Sequence, residues 1–255
     1  MKIDLNADLG EGFGPYLLTD DDALLSIVSS ANIACGMHAG DPSTMARVCR
    51  MAGDRGVAIG AHPGYSDRDG FGRRVIPMSI TEVEALVAVQ IGALQAAAAL
   101  SGNKVRYVKP HGALYTLAEK NGPAADAICR ATHACDPSLV VVTSPGSRLL
   151  RAADDFGLAT AVEGFADRRY EPDGFLVSRN KDGAVIDDID DIADQAFRLA
   201  TGQGVITIDG TFVPMVVQTI CLHGDSRSAV EAAKAVRQRL QAEGVLIAPF
   251  LKGVS

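Results

Sequence analysis

No Cys-x-x-Cys pair occurs in the chain, although it holds five cysteines, at Cys35, Cys49, Cys129, Cys135 and Cys221. An odd number at irregular spacing argues against a zinc ribbon or a paired redox motif and suits a reducing, cytosolic compartment. Positive charge is in short supply: 24 lysines and arginines stand against 31 acids, a net charge of −7. No basic stripe offers itself to nucleic acid, and the pairs Arg73–Arg74 and Arg168–Arg169 each have acids nearby. The N-terminal MKIDLNADLGE carries acids at once and lacks the apolar core of a signal peptide. The one long uncharged run, Ala85 to Asn103, is rich in alanine and interrupted by Gln90, Gln95, Ser101 and Asn103. It reads as a packed helix, and no membrane partner is expected.

Standard catalytic signatures are missing as well. There is no Gly-x-x-x-x-Gly-Lys-Ser/Thr loop and no Gly-x-Gly-x-x-Gly fingerprint, so the usual nucleotide cradles are absent. Neither His-Glu-x-x-His nor Gly-x-Ser-x-Gly occurs. No Gly/Ser-rich linker, composition shift or fixed repeat divides residues 1–255, which predicts a single domain.

What the sequence has is an alternation. Short runs rich in β-branched residues, at Lys2–Asn6, Ala31–Cys35, Val57–Ala61, Val105–Lys109, Leu139–Thr143, Ala159–Glu163 and Val216–Leu222, are separated by longer helical stretches. Several are continuously apolar, as buried parallel strands are. Val245–Ala248 is a candidate eighth. Thr81-Glu-Val-Glu84 has the spacing of a capping box, Asp41-Pro42 that of a cap and first turn, and Asp225 to Glu243 holds a last helix closed by Gly244. Only Phe165 to Pro214 breaks the rhythm, with a turn at Asn180–Gly183 and a tight hairpin at Ile208–Thr211. The fold class is α/β, either a (β/α) barrel or an open doubly wound sheet.

Polar residues collect where these strands end. The ends read Asn6-Ala-Asp8-Leu-Gly-Glu11, Gly36-Met-His38-Ala-Gly-Asp41, Ala61-His62-Pro-Gly-Tyr65, Lys109-Pro-His111-Gly-Ala-Leu-Tyr115, Glu163-Gly-Phe-Ala-Asp167-Arg168 and His223-Gly-Asp225. Four of the five histidines lie there, His133 being the exception. In an α/β sheet or barrel these ends share one face, where ligands bind. A single histidine after a strand is readily a hydrogen-bonded cap, and Asp41 and Asp225 can each simply cap a helix. Four histidines together are not explained by packing. Lys109, inside an apolar strand, must meet an anion or shift its pKa. Cys35 and Cys221 read as small buried residues. An aspartate, four histidines and a lysine suit general acid–base hydrolysis, or a metal-bound water. If a divalent metal binds, Asp8, His62 and His111, from three strand ends, are the trio to hold it.

These blocks, together with Ser30-Ala-Asn-Ile-Ala-Cys35, Gly70-Phe-Gly-Arg-Arg74 and Cys221-Leu-His-Gly-Asp225, resemble the LamB/YcsF family along the whole chain. Ser66 stands where that family usually has proline, and Thr116 where asparagine is common. The resemblance implies a seven-stranded, TIM-like barrel of the glycoside hydrolase/deacetylase type. It implies the A subunit of an ATP-dependent 5-oxoprolinase, which opens 5-oxo-L-proline to L-glutamate together with the B and C subunits. Because this chain shows no classical phosphate loop, ATP is expected to be handled largely with a partner subunit. Asp8, His38, His62, Lys109 and His111 are then the expected catalytic set. Asn6, Glu11, Asp41, Tyr115, Glu163, Arg168, His223 and Asp225 are expected to bind substrate. Two other readings are a stand-alone metal-dependent hydrolase, such as a carbohydrate deacetylase, and a non-catalytic binding subunit.

Overall fold

A computed structural model describes residues 1–224 and 228–251. Six parallel strands come first: β1 (Lys2–Leu9), β2 (Ser30–Ala34), β3 (Ala58–His62), β4 (Val105–Val108), β5 (Val140–Thr143) and β6 (Thr160–Phe165). A short antiparallel hairpin follows, β7 (Val205–Ile206) with β8 (Phe212–Val213), then β9 (Thr219–Leu222) and β10 (Leu246–Ile247). The order β1-β2-β3-β4-β5-β6-β9 closes on itself, because β9 pairs with both β6 and β1. The result is a parallel seven-stranded barrel, and the open sheet is excluded. The eighth candidate is β10, which pairs only with Lys2 and Ile3 at the start of β1.

Helices wrap the outside: α1 (Asp21–Leu25), α2 (Pro42–Asp54), α3 (Ile80–Ala99), α4 (Gly112–Lys120), α5 (Gly122–Cys135), α6 (Arg148–Asp155), α7 (Ile189–Ala200) and α8 (Ala229–Ala242). Asp41 caps α2 as expected, accepting from the Ser43 and Thr44 amides. The capping box of α3 lies two residues earlier than its sequence pattern suggests. Ser79 and Glu82 make the reciprocal bonds, because the helix already begins at Ile80. By length and composition α3 could cross a membrane. Here it packs beside α5, with Val83, Val87, Ile91 and Leu94 buried. The interruption from 165 to 214 holds α7, the hairpin and two isolated bridges, Arg168 with Val185 and Tyr170 with Leu176. The 207–211 hairpin turn is there, its Asp209 accepting from Thr207 and Thr211.

Period-two alternation decides what enters the barrel. Along β1, Ile3, Leu5, Ala7 and Leu9 belong to the apolar layer shared with the helices. Asp4, Asn6 and Asp8 share the opposite face, bonding inside the barrel to residues of β2 and β9. The lower interior is closed by Ala58, Tyr107, Val142, Ala161 and Leu251. Tyr107 fits only because position 60 is glycine: a β-carbon there would strike the tyrosine ring.

Asp4 is buried at the bottom of this column and accepts from the hydroxyls of Ser29, Ser30 and Thr219. Burial outweighs those bonds and pushes its carboxyl up to about 6 from 3.8. A folded-state pKa above the unfolded one means that the folded chain binds the extra proton. This contribution to stability is complete below about pH 4 and is lost as pH rises through about 6, a total of roughly 3 kcal/mol. Asp4→Asn removes that slope. In urea unfolding at pH 4.5 and 7.5, the natural chain should lose stability relative to the variant at the higher pH. Equal pH dependence of the two chains would refute this.

Candidate active site

The polar column ends in an ion cluster. Lys109, on the residue after β4, is buried and places Nζ 2.8 Å from Glu163 Oε1, 3.4 Å from Asp8 Oδ1 and 3.3 Å from Asn6 Oδ1. Burial alone would drive off its proton, but the two carboxylates hold the ammonium pKa well above its ordinary range. Cys221 Sγ lies 3.0 Å from Nζ, and burial keeps that thiol protonated. Burial also opposes the charge on Asp8, yet His62 and Lys109 hold its carboxyl well below the usual range. Asn32 ties the layers together, its amide donating to Asn6 and Asp8 while its carbonyl accepts from the Tyr107 hydroxyl.

Three histidines stand beside this cluster. His62 Nδ1 donates to the Lys109 carbonyl at 2.7 Å, and His111 Nε2 donates to the Phe71 carbonyl at 2.8 Å. Their remaining nitrogens, His62 Nε2 and His111 Nδ1, face each other at 2.9 Å. His38 stacks flat on His111, with centroids 3.8 Å apart, and points Nε2 at Glu11 Oε1 from 3.6 Å. Burial, with neighbouring histidines, lowers the pKa of both His38 and His111 well below 6.5, so both are neutral imidazoles. The backbone that presents Phe71 is unusual, since Phe71 and Gly72 both have positive φ. A β-carbon at Gly72 would sit 2.8 Å from both His38 Cβ and His111 Cδ2. This explains the glycines around the histidines: the rings and the loop are in direct contact.

Above the cluster opens a cavity of about 350 Å³, lined by Asp8, His62, Lys109, His111, Tyr115, Arg168 and His223 among others. Seven of the residues singled out in the sequence therefore share one chamber. Asn6 and Glu163 lie in the layer beneath it, bonded to each other at 2.9 Å. Glu11 and His38 flank it behind His111. Asp41 stands apart as the α2 cap, also accepting from the Gly14 amide; that bond first, then those within the cap, hold its pKa at about 2. Asp225 lies outside the described residues.

Several contributors were not singled out in the sequence. Asp167 binds His223 Nδ1 at 2.8 Å and also accepts from its backbone amide, so its carboxylate fixes the tautomer and direction of that ring. Its proximity to Arg168 at a strand end was the available signal. Arg73 and Arg179 join Arg168 on the cavity wall. Arg168 is buried, donating to the Val177 and Ala184 carbonyls, and burial with Arg179 nearby brings its pKa down to about 10. Glu119 on α4 also lines the cavity; burial pushes its carboxyl up to about 7 despite a bond from Ser144. Nothing local in the sequence marks Glu119 or Arg179, which reach the site only through the fold.

A closed parallel barrel with histidines, carboxylates and a lysine gathered at the C-terminal ends of its strands has the architecture of a (β/α)-barrel enzyme. More specifically, the chain belongs to the LamB/YcsF family, whose sequence pattern it matches over residues 3–254. It is 52% identical to the A subunit of 5-oxoprolinase from Mycolicibacterium gilvum over 98% of this chain and 99% of that one. The same identity relates it to the A subunit of 5-oxoprolinase from Rhodopseudomonas palustris, covering 98% and 99%. In structure it is similar to the lactam utilization protein of Thermus thermophilus, with a TM-score of 0.92, 41% identity and coverage of 97% and 99%.

Proposed function

We propose that this chain is the A subunit of an ATP-dependent 5-oxoprolinase, opening the lactam of 5-oxo-L-proline to L-glutamate with the B and C subunits. The observation that carries this reading is half-identity, along nearly the whole chain, to proteins named as the A subunit of 5-oxoprolinase. The five cysteines are free thiols, in keeping with work in the cytoplasm, and the chain is read as a single barrel domain.

The chemistry of the cavity supports the reading. A five-membered lactam is a poor electrophile, and phosphorylation of its oxygen by ATP makes the carbon open to water. With no recognisable phosphate loop in this chain, ATP is handled largely with the partner subunits. The phosphorylated lactam carries a carboxylate and a phosphate, and a wall of Arg73, Arg168 and Arg179 beside Lys109 suits both anions. Asp8 and His62 then direct water at the carbon. The tetrahedral centre must expel its ring nitrogen rather than its phosphate, or the lactam simply re-forms. Glu119, poised near neutrality, and His223, held by Asp167, are the cavity groups able to protonate that nitrogen. The resulting acyl phosphate takes a second water to give glutamate and phosphate.

The test is glutamate release from 5-oxoproline and ATP, first with this chain alone and then with B and C. Release only from the full mixture is the expected result. Arg168→Met should raise KM for 5-oxoproline about tenfold or more, the scale of one lost charge-assisted contact. Properly folded chains that release no glutamate in the full mixture would overturn the reading.

A further inference from the structure

His62 and His111 meet in a way that hydrogen bonding between two neutral rings does not explain. A carbonyl oxygen can only accept, so His62 carries its proton on Nδ1, toward Lys109, and His111 carries its own on Nε2, toward Phe71. Both facing nitrogens, His62 Nε2 and His111 Nδ1, therefore present lone pairs across 2.9 Å. Two lone pairs at that distance repel unless a cation lies between them. It is either one extra proton, which would also face Asp8 Oδ2 at 3.4 Å from His62 Nε2, or a metal ion.

The surroundings favour the metal. A histidine whose second nitrogen donates to a backbone carbonyl has the outer-sphere partner that metal-bound histidines have, and here both rings do. Metal–nitrogen bonds of about 2.1 Å place two ligand nitrogens about 3 Å apart at an octahedral right angle and about 3.4 Å apart at the tetrahedral angle. A carboxylate is also in reach, with Glu11 Oε1 3.8 Å from His111 Nδ1. The donor atoms of Glu11, His38, His62 and His111 all lie within 4.8 Å of one another. His38 is buried, and neither of its ring nitrogens reaches a hydrogen-bond partner among the described residues. Because it is stacked parallel to His111, an ion in the plane of the His111 ring lies out of the plane of His38. His38 is thus placed to steer the Glu11 carboxylate, 3.6 Å away, rather than to bind the same ion.

We propose that Glu11, His62 and His111 form a site for one divalent transition-metal ion, with His38 as the positioning residue for Glu11. This replaces Asp8, expected from the sequence, by Glu11: Asp8 Oδ1 is engaged by Lys109, and although its Oδ2 lies 3.4 Å from His62 Nε2, its donor atoms group with Cys221 and His223 rather than with the histidine set. Three protein ligands leave coordination positions for water or a substrate oxygen, and such an ion polarises a carbonyl or acidifies its water.

The site stands independently of the 5-oxoprolinase reading, because its test reads binding and not turnover. The full chain, stripped with chelator, is titrated with Mn²⁺ by electron paramagnetic resonance and with Zn²⁺ by calorimetry. One ion per chain is expected. Affinity should fall at least 100-fold in His62→Gln and His111→Gln, and about 10- to 100-fold in His38→Phe, the scale of an outer-sphere loss. Circular dichroism of each variant separates ligand loss from misfolding. Failure of the natural chain to bind either ion, with a ¹⁵N signal for one proton shared between the two rings, would overturn the proposal. So would binding that the two glutamine variants leave unchanged. A metal-loaded chain that never supports glutamate release would sink the functional reading alone.

Discussion

Lys109→Met is expected to lower the unfolding free energy by about 3–5 kcal/mol at pH 7, the range seen when one partner of a buried ion pair is removed. Methionine fills nearly the same volume, so cavity formation contributes little. The loss comes from Asp8 and Glu163, which keep their burial and lose the ammonium held 3.4 and 2.8 Å away. Burial without the ammonium disfavours the charge on Asp8, so the penalty grows as pH rises and shrinks toward pH 4. Glu163→Gln added to the same chain should recover part of the loss, since it removes one of the two stranded charges. Urea denaturation of the three chains at pH 4.5 and 7.5 measures all of this. A Lys109→Met chain as stable as the natural one at pH 7.5 would show that the cluster is not held by this lysine.

Asp8→Asn is the second large effect, and it falls on activity. The substitution is nearly isosteric, and Lys109 keeps Glu163 at 2.8 Å, so the fold should persist with the circular dichroism of the natural chain. What disappears is the anion between Lys109 and His62, whose Nε2 lies 3.4 Å from Asp8 Oδ2. Without it, water facing the cavity loses the carboxylate partner that accepts its proton. In the reconstituted complex kcat should drop by about 10²- to 10⁴-fold, as for loss of a positioned base, with KM for 5-oxoproline little changed. A kcat within about threefold of the natural value would remove Asp8 from the machinery.

These two experiments bear on residues that differ in how they became visible. Lys109 stood out in the sequence because a charge inside an apolar run cannot be left without a partner, whatever the fold. The histidines stood out because a parallel architecture sends every strand end to one face. Their neighbours did not. Glu119 sits mid-chain on an exposed-looking helix pattern, Arg179 lies in the interruption after β6, and both reach the cavity only because the barrel curls those segments over its mouth. Asp41 carries two readings in the sequence, helix cap and ligand, and the structure shows the first, its carboxylate accepting from the α2 amides.

The sequence by itself determined where the barrel strands lie, the parallel order of elements and the face that carries the chemistry. Each follows from hydrophobic periodicity and from which residue types cannot be buried alone. Periodicity alone leaves barrel and open sheet undecided; the family resemblance implies seven closed strands, and the tertiary structure shows the closure, with β9 pairing to both β1 and β6. It alone brought Glu11 to His62 and His111, across 51 and 100 positions of chain, and set two imidazole lone pairs face to face. Sequence spacing records covalent neighbours, and barrel closure makes new ones. The protonation, charge and ligand capacity of a side chain depend on the second kind.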